Sequence, residues 1–160
     1  RLALSEALAE MVATCTDHDE NFHLLFIDLD GFKAVNDSFG HKAGDALLVR
    51  AARRMQSCMA ERGGIFRLGG DEFIVLTSGL GERGAVRSLA ERLLWRLSAP
   101  YELDGQQART GASIGIAAFP ADGATPEDML DRADQAMYHV KRHGKNGYAF
   151  ADQVGCPTEA

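Results

Sequence analysis

Leu2, Leu4, Ala7, Leu8, Met11 and Val12 recur at helical spacing, so about the first fifteen residues are expected to form an amphipathic helix. The run Phe22-His23-Leu24-Leu25-Phe26-Ile27 lacks polar alternation, as a strand buried on both faces does, and places Asp28 at its C-terminal mouth on the edge of a sheet. Residues 32–39 read as a short helix stopped at Gly40. Gly44 then opens a long helix through Met59, with Ala46, Leu47, Leu48, Val49 and Met55 on its apolar face. The runs Ile65-Phe66-Arg67-Leu68 and Phe73-Ile74-Val75-Leu76 enclose Gly69-Gly70-Asp71-Glu72, a tight strand-turn-strand. Residues 84–97 form a helix, residues 100–107 a hairpin turning at Asp104-Gly105, and residues 112–119 a strand of small and branched side chains. Thr125-Pro126-Glu127-Asp128 combines a hydroxyl N-cap, an N1 proline and first-turn acids, and Met129, Leu130, Ala133, Ala136, Met137 and Val140 carry that helix to His143-Gly144. Tyr148-Ala149-Phe150 adds an edge strand, and residues 151–160 read as a linker.

At 160 residues and 46% hydrophobic, the chain suits one compact domain. A formal charge of -6 argues against binding nucleic acid or an anionic membrane, because both need a basic face. Cys15, Cys58 and Cys156 are odd in number and far apart, which speaks against a disulfide framework and a zinc site and fits a cytoplasmic location. His18, His23, His139 and His143 form no metal-ligand spacing. No apolar run approaches the roughly 18 residues of a membrane span and no signal peptide opens the chain. Starting at Arg1 inside a helical pattern, the sequence reads as a segment of a longer protein, which can itself be membrane-anchored.

Chemistry concentrates at Gly69-Gly70-Asp71-Glu72. Glycines let a polyanion approach the backbone, and adjacent acids ending apolar strands are expensive unless paired or bound to a hard cation. Asp28 ends a second apolar strand in the same way, so the chain carries the ingredients of a metal-and-phosphate site.

The segment Phe26-Ile27-Asp28-Leu29-Asp30-Gly31-Phe32-Lys33 with Asn36-Asp37, then Gly40-His41 and Gly44-Asp45, then Arg67-Leu68-Gly69-Gly70-Asp71-Glu72-Phe73, resembles the GGDEF family of diguanylate cyclases. Ala112-Ser113-Ile114-Gly115-Ile116-Ala117, Ala133-Asp134 with Ala136-Met137-Tyr138, and Lys141 with Gly144-Lys145-Asn146 agree with it. The resemblance covers residues 1–150 and implies an α/β fold: a central, mainly antiparallel sheet flanked by helices, the ferredoxin-like palm of nucleotide cyclases. It implies condensation of two GTP into cyclic di-GMP with release of two pyrophosphates. Each domain brings one GTP, so turnover needs a homodimer.

The family pattern assigns Mg²⁺, with Mn²⁺ as an alternative, to Asp28, the carbonyl of Leu29 and Asp71, with Glu72 joining them or contacting a second metal. Asp71 and Glu72 are the implied catalytic residues, Asp71 taking the proton of the attacking 3′-hydroxyl directly or acting through the metal. Main-chain N–H groups at Phe32 and Lys33, the open backbone at Gly70, and the side chains of Lys141 and Lys145 are assigned to phosphate oxygens, and His41 lies near substrate. Lys145 replaces the commoner Arg and offers a point charge instead of a fork. It equally suits a cation completing a helix C-terminus. Asn36 and Asp45 match the guanine-binding positions, although Asn36 ending one helix and Asp45 capping the next is the plain structural alternative.

Two departures bear on regulation. Related proteins place an Arg-x-x-Asp product-inhibition motif where this chain has Ala60 and Gly63, so that inhibitory site is expected to be absent. The closing Gly147-Tyr148-Ala149-Phe150 resembles the junction before EAL phosphodiesterase domains, which implies an adjoining EAL domain and an upstream sensor in the whole protein. A GTP-binding regulatory module of weak or absent turnover, controlling such a neighbour, is the second reading.

Overall fold

In the computed structural model, which describes residues 2–59 and 63–154, helices cover both faces of one five-stranded sheet. The elements run α1 (Leu2–His18), β1 (Phe22–Asp30), α2 (Phe32–Phe39), α3 (His41–Cys58), β2 (Gly63–Gly69), β3 (Glu72–Ser78), α4 (Arg83–Leu97), β4 (Tyr101–Leu103), β5 (Gln106–Ala108), β6 (Gly111–Phe119), α5 (Pro126–Arg142) and β7 (Gly147–Phe150), followed by a 3-10 turn at Ala151–Gln153. The sheet order is β2-β3-β1-β6-β7. All its pairings are antiparallel except β6 with β7, and that parallel pair needs a crossover, which α5 supplies. β4 and β5 form a separate hairpin, whose turn residues Asp104 and Gly105 have φ 49° and 79°, as a two-residue primed turn requires.

β1 is central, which explains its unbroken apolar run. Leu25, Ile27 and Leu29 face a core shared with α2, α3 and α4, while Leu24 and Phe26 face a second core shared with α1 and α5. Because side chains alternate along a strand, Asp28 and Asp30 project to the face that carries α5.

Two sequence-based expectations are corrected here. Asp28 does not lie on a sheet edge: β1 continues two residues beyond it, and it is registered between Glu72 of β3 and Ser113 of β6. Main-chain pairing with β6 as far as Asp30↔Gly111 extends the strand regardless of the acids it carries. Nor does Gly44 open α3, which begins at His41, directly after Gly40. Gly44 is a contact position: a Cβ there would meet Asn36 Oδ1 and approach the ring of Phe32 to 3.3 Å. The missing side chain leaves the space between α2 and α3 that the Asn36 amide occupies.

Among the described residues no helix is long and apolar enough to cross a membrane.

Candidate functional site

The C-terminal end of β1 gathers the acids. At the tip of the β2–β3 hairpin, Gly70 has φ 51°, a conformation that side-chain-bearing residues adopt reluctantly, and a Cβ there would meet nothing within 4 Å. Arg67 Nε donates to the Gly70 carbonyl at 3.0 Å and the Leu29 N–H donates to the Asp71 carbonyl at 3.1 Å, so the turn is fastened to its own strand and to β1. These two bonds, one from a side chain and one between main chains, place the half-buried Asp71 side chain beside Asp28, with Glu72 registered opposite Asp28.

Burial pushes the Asp28 carboxyl up from its ordinary 3.8 to about 6, and the Asp71 charge adds to the rise, while Lys141 only partly opposes it. Asp28 Oδ1 is buried with no hydrogen-bond partner, and Oδ2 lies 3.3 Å from Lys141 Nζ. Lys141 also reaches Asp30 Oδ1 at 3.4 Å. Burial pulls its ammonium down, but the carboxylates of Asp28 and Asp30 outweigh that and its affinity for the proton rises.

Asp30 stands two residues after Asp28 in the same motif, and the family pattern gives it no task. It accepts from Ser113 Oγ at 2.8 Å and from the Asn146 N–H at 2.9 Å, so it joins β1, β6 and the turn after α5, and it holds Lys141 over the acids. The available signal was the Asp-x-Asp spacing, which puts both carboxylates on one face of a strand.

An orphaned carboxylate oxygen beside a second acid is what a hard cation satisfies. Among the described residues no three His, Cys, Asp or Glu side chains cluster as a metal group. An ion of the Mg²⁺ type takes one or two carboxylates and completes its shell with carbonyl, water and phosphate oxygens. The residues present fit such an ion.

Beside the acids, α2 starts at Gly31 with no side chain capping its first turn. The Phe32 ring is buried in the core, so Phe32 contributes only its main-chain N–H, while Lys33 is exposed. Asn36 Oδ1 is buried without a partner, packed against Gly44. Asn36 does not end its helix, since α2 runs on to Phe39; the Gly40 N–H bonds to its carbonyl at 2.8 Å, and its side-chain oxygen keeps its acceptor capacity for another partner. Asp45 is exposed within α3, past the first turn, so it is not the cap of that helix.

The structure thus brings the side chains of Asp28, Asp71 and Lys141 together, ties the Leu29 main chain to Asp71, registers Glu72 opposite Asp28, and sets Asn36 beside the residue preceding Asp45. His41 is exposed in the first turn of α3. Lys145, at φ 61°, donates its N–H to Val140 O at 3.0 Å and lines a different hollow with His139 and His143. Of the inhibitory-motif positions, Ala60 lies outside the described residues and Gly63 begins β2.

A pH-dependent cost follows from Asp28. The folded protein holds its proton more tightly than the unfolded chain, so the contribution is fully present below pH 3.8 and is lost as pH rises through about 6. Asp28→Asn is therefore expected to stabilise the metal-free protein at pH 8 by about 1–3 kcal/mol, with the difference shrinking below pH 5. Urea unfolding with a chelator present measures this, and an Asn variant weaker than wild type at pH 8 would contradict it. Lys141 keeps Asp30 as its partner in that variant.

Comparison with known proteins places the fold and the family. The family profile described as "Diguanylate cyclase, GGDEF domain" matches residues 1–147. The chain is 44% identical over 150 residues to the bifunctional diguanylate cyclase/cyclic di-GMP phosphodiesterase MucR of Pseudomonas aeruginosa, covering 94% of this chain and 22% of MucR. It is 38% identical over 146 residues to the diguanylate cyclase TpbB of the same species, covering 91% of this chain and 34% of TpbB. The crystal structure of the TpbB GGDEF domain superposes with a TM-score of 0.91 at 35% identity, covering 98% of this chain and 96% of that domain. The architecture is therefore the palm-like fold of these domains, and the chain spans only a fifth to a third of the length of those two curated relatives.

Proposed function

The chain belongs to the GGDEF family, and from that premise we propose that it is the diguanylate cyclase domain, residues 1–150, of a longer protein, with residues 151–160 leading to a further domain. The observation that carries this reading is the meeting, at the end of the central strand, of the orphaned Asp28 oxygen with Asp71 and Glu72 beside the uncapped start of α2. Two GTP molecules, one from each domain of a homodimer, react. Each 3′-hydroxyl loses its proton and forms a bond to the α-phosphorus of the other nucleotide, while the bond to the β-phosphate oxygen breaks and pyrophosphate leaves.

Asp28, the Leu29 carbonyl, Asp71 and Glu72 would hold Mg²⁺ or Mn²⁺, which when bound supplies charge neutralisation on the transferring phosphoryl group. The N–H groups of Phe32 and Lys33 orient phosphate oxygens, as open helix N-termini do. Lys141 offers its ammonium next to Asp28, Lys145 adds a second cation, and Gly70 leaves the hairpin tip open for the nucleotide to approach. Asp71 takes the proton of the 3′-hydroxyl. One domain alone holds half of the reacting pair, so the domain works only as a dimer.

Base choice rests on Asn36 and Asp45. Asp45 accepts from guanine N1–H and N2–H, a donor pair adenine lacks, and Asn36 both donates and accepts. Asp45→Ala is expected to weaken GTP binding by about 1–3 kcal/mol and to leave ATP binding poor. Equal binding of GTP and ATP by the wild-type protein would remove this pocket from the scheme.

The second reading is a GTP-binding module that regulates an attached EAL phosphodiesterase domain. The likeness to MucR, whose name includes a phosphodiesterase activity and whose length this chain matches over only 22%, supports the attached domain that this reading needs. Incubation with GTP and Mg²⁺, followed by chromatography for cyclic di-GMP, separates the two: product supports the cyclase, and saturable GTP binding without product supports the regulatory module. Added cyclic di-GMP is expected not to slow turnover, since Ala60 and Gly63 offer neither guanidinium nor carboxylate.

A further inference from the structure

His139 lies in the last turn of α5, and His143, four residues on, is the residue that caps its C-terminus. Their rings stack with centroids 4.1 Å apart and an interplanar angle of 25°. His143 Nδ1 lies 2.8 Å from the His139 carbonyl oxygen. A carbonyl only accepts, so Nδ1 carries the proton and the lone pair of the neutral ring sits on Nε2. This is the arrangement metal-binding histidines adopt, with one ring nitrogen donating to a carbonyl and the other left for the ion. Both rings open onto a hollow of about 310 Å³ that is also lined by Gln153 and Lys145.

We infer that His139 and His143 form a binding site for a borderline divalent transition ion, of the Zn²⁺, Ni²⁺ or Cu²⁺ class, separate from the carboxylates at the end of β1. Imidazole nitrogens suit these ions, whereas Mg²⁺ and Mn²⁺ prefer the oxygens around Asp28. Two histidines at this spacing on one helix face are a recurring half of zinc sites, and water completes the shell here. In the sequence the histidines looked unconnected because a closed set of three or four ligands is absent. The way the chain leaves α5 at its cap makes the pair. Lys145 on the same hollow opposes the ion's charge, so the site is weak and reversible. Its occupant pins the last turn of α5, the turn that carries Lys141 to Asp28 and Asp30.

The test uses the untagged protein with Mg²⁺ in excess, so that the carboxylate site is occupied. Calorimetric titration is expected to find one Ni²⁺, Zn²⁺ or Cu²⁺ per chain, tightest for Cu²⁺, and the visible band of bound Cu²⁺ should shift as nitrogen ligands replace water. Ni²⁺ should also raise the melting temperature, because it binds only the folded helix. His139→Gln and His143→Gln should each weaken binding about tenfold or more, and the double variant should lose the thermal shift. His18→Gln serves as the control: His18 makes the same ring contact to a carbonyl, Thr14 O at 2.9 Å, but has no histidine four residues away. No saturable binding in the wild type, unchanged affinity in the double variant, or loss of binding in His18→Gln would overturn the assignment. His18 and His139 lie in the last turns of α1 and α5 and His143 caps α5, and circular dichroism of each variant verifies that the helices persist.

Discussion

Asp71→Asn is expected to lower the rate of cyclic di-GMP formation by two orders of magnitude or more at saturating Mg²⁺ and GTP, equivalent to about 3 kcal/mol of barrier. The substitution keeps the shape and removes the charge. The turn should survive, since Asp71 is bonded to β1 through its main-chain carbonyl. It also removes the negative charge that helps raise the Asp28 carboxyl, so the variant should be at least as stable as wild type without metal. A single preparation therefore separates chemistry from folding: quantify product by chromatography and record urea unfolding in a chelator. Wild-type turnover in a well-folded variant would remove Asp71 from the reaction.

The second large effect concerns stability and lies away from the acids. Gly115 sits in β6 where α5 crosses the sheet, and a Cβ there would meet the Ala133 carbonyl oxygen and the Met137 nitrogen. Both are backbone atoms of a packed helix and cannot rotate away. Gly115→Ala must displace α5 from the sheet, at a cost on the order of 3 kcal/mol. Because α5 carries Lys141 to Asp28, the displacement should weaken GTP binding as well. A denaturation midpoint unchanged from wild type would show that α5 does not rest on β6 as described. Gly84→Ala is the comparison, since a Cβ there meets nothing within 4 Å and its effect should be small.

Elements with strong local punctuation were legible in the sequence. The short helix 32–39 lies between Gly31 and Gly40, and the last helix opens with Thr125 Oγ1 accepting from the Asp128 N–H at 3.1 Å, as its Thr-Pro-Glu-Asp start predicts. The turn at Asp104-Gly105 and the hairpin through Gly69-Gly70 are of the same kind. Misreadings arose where a residue's reason is tertiary. Gly44 looked like a helix start, yet its lack of a side chain serves Asn36 and Phe32 on the neighbouring helix. Asp28 looked like a strand end because charge was taken to mark the boundary, whereas pairing with β6 carries the strand two residues further.

The order of its motifs and the family they resemble were enough to place this chain in a family of diguanylate cyclases, to single out Asp28, Asp71 and Glu72 as acids of interest, and to foresee an α/β sandwich with a mainly antiparallel sheet. Those properties are local: a turn needs its glycines, a cap its hydroxyl, and a strand buried on two faces its run of apolar residues. The fold supplied every relation between residues distant in the chain. It set the strand order β2-β3-β1-β6-β7, which makes β1 central. It brought Lys141 from the last helix against Asp28 and Asp30, and it turned Asp30 from a motif letter into the tie between β1, β6 and the turn after α5. It also raised the Asp28 carboxyl to about 6, because desolvation and the charge of a neighbouring acid depend on which groups packing brings within a few ångströms, and residue order alone does not encode that distance.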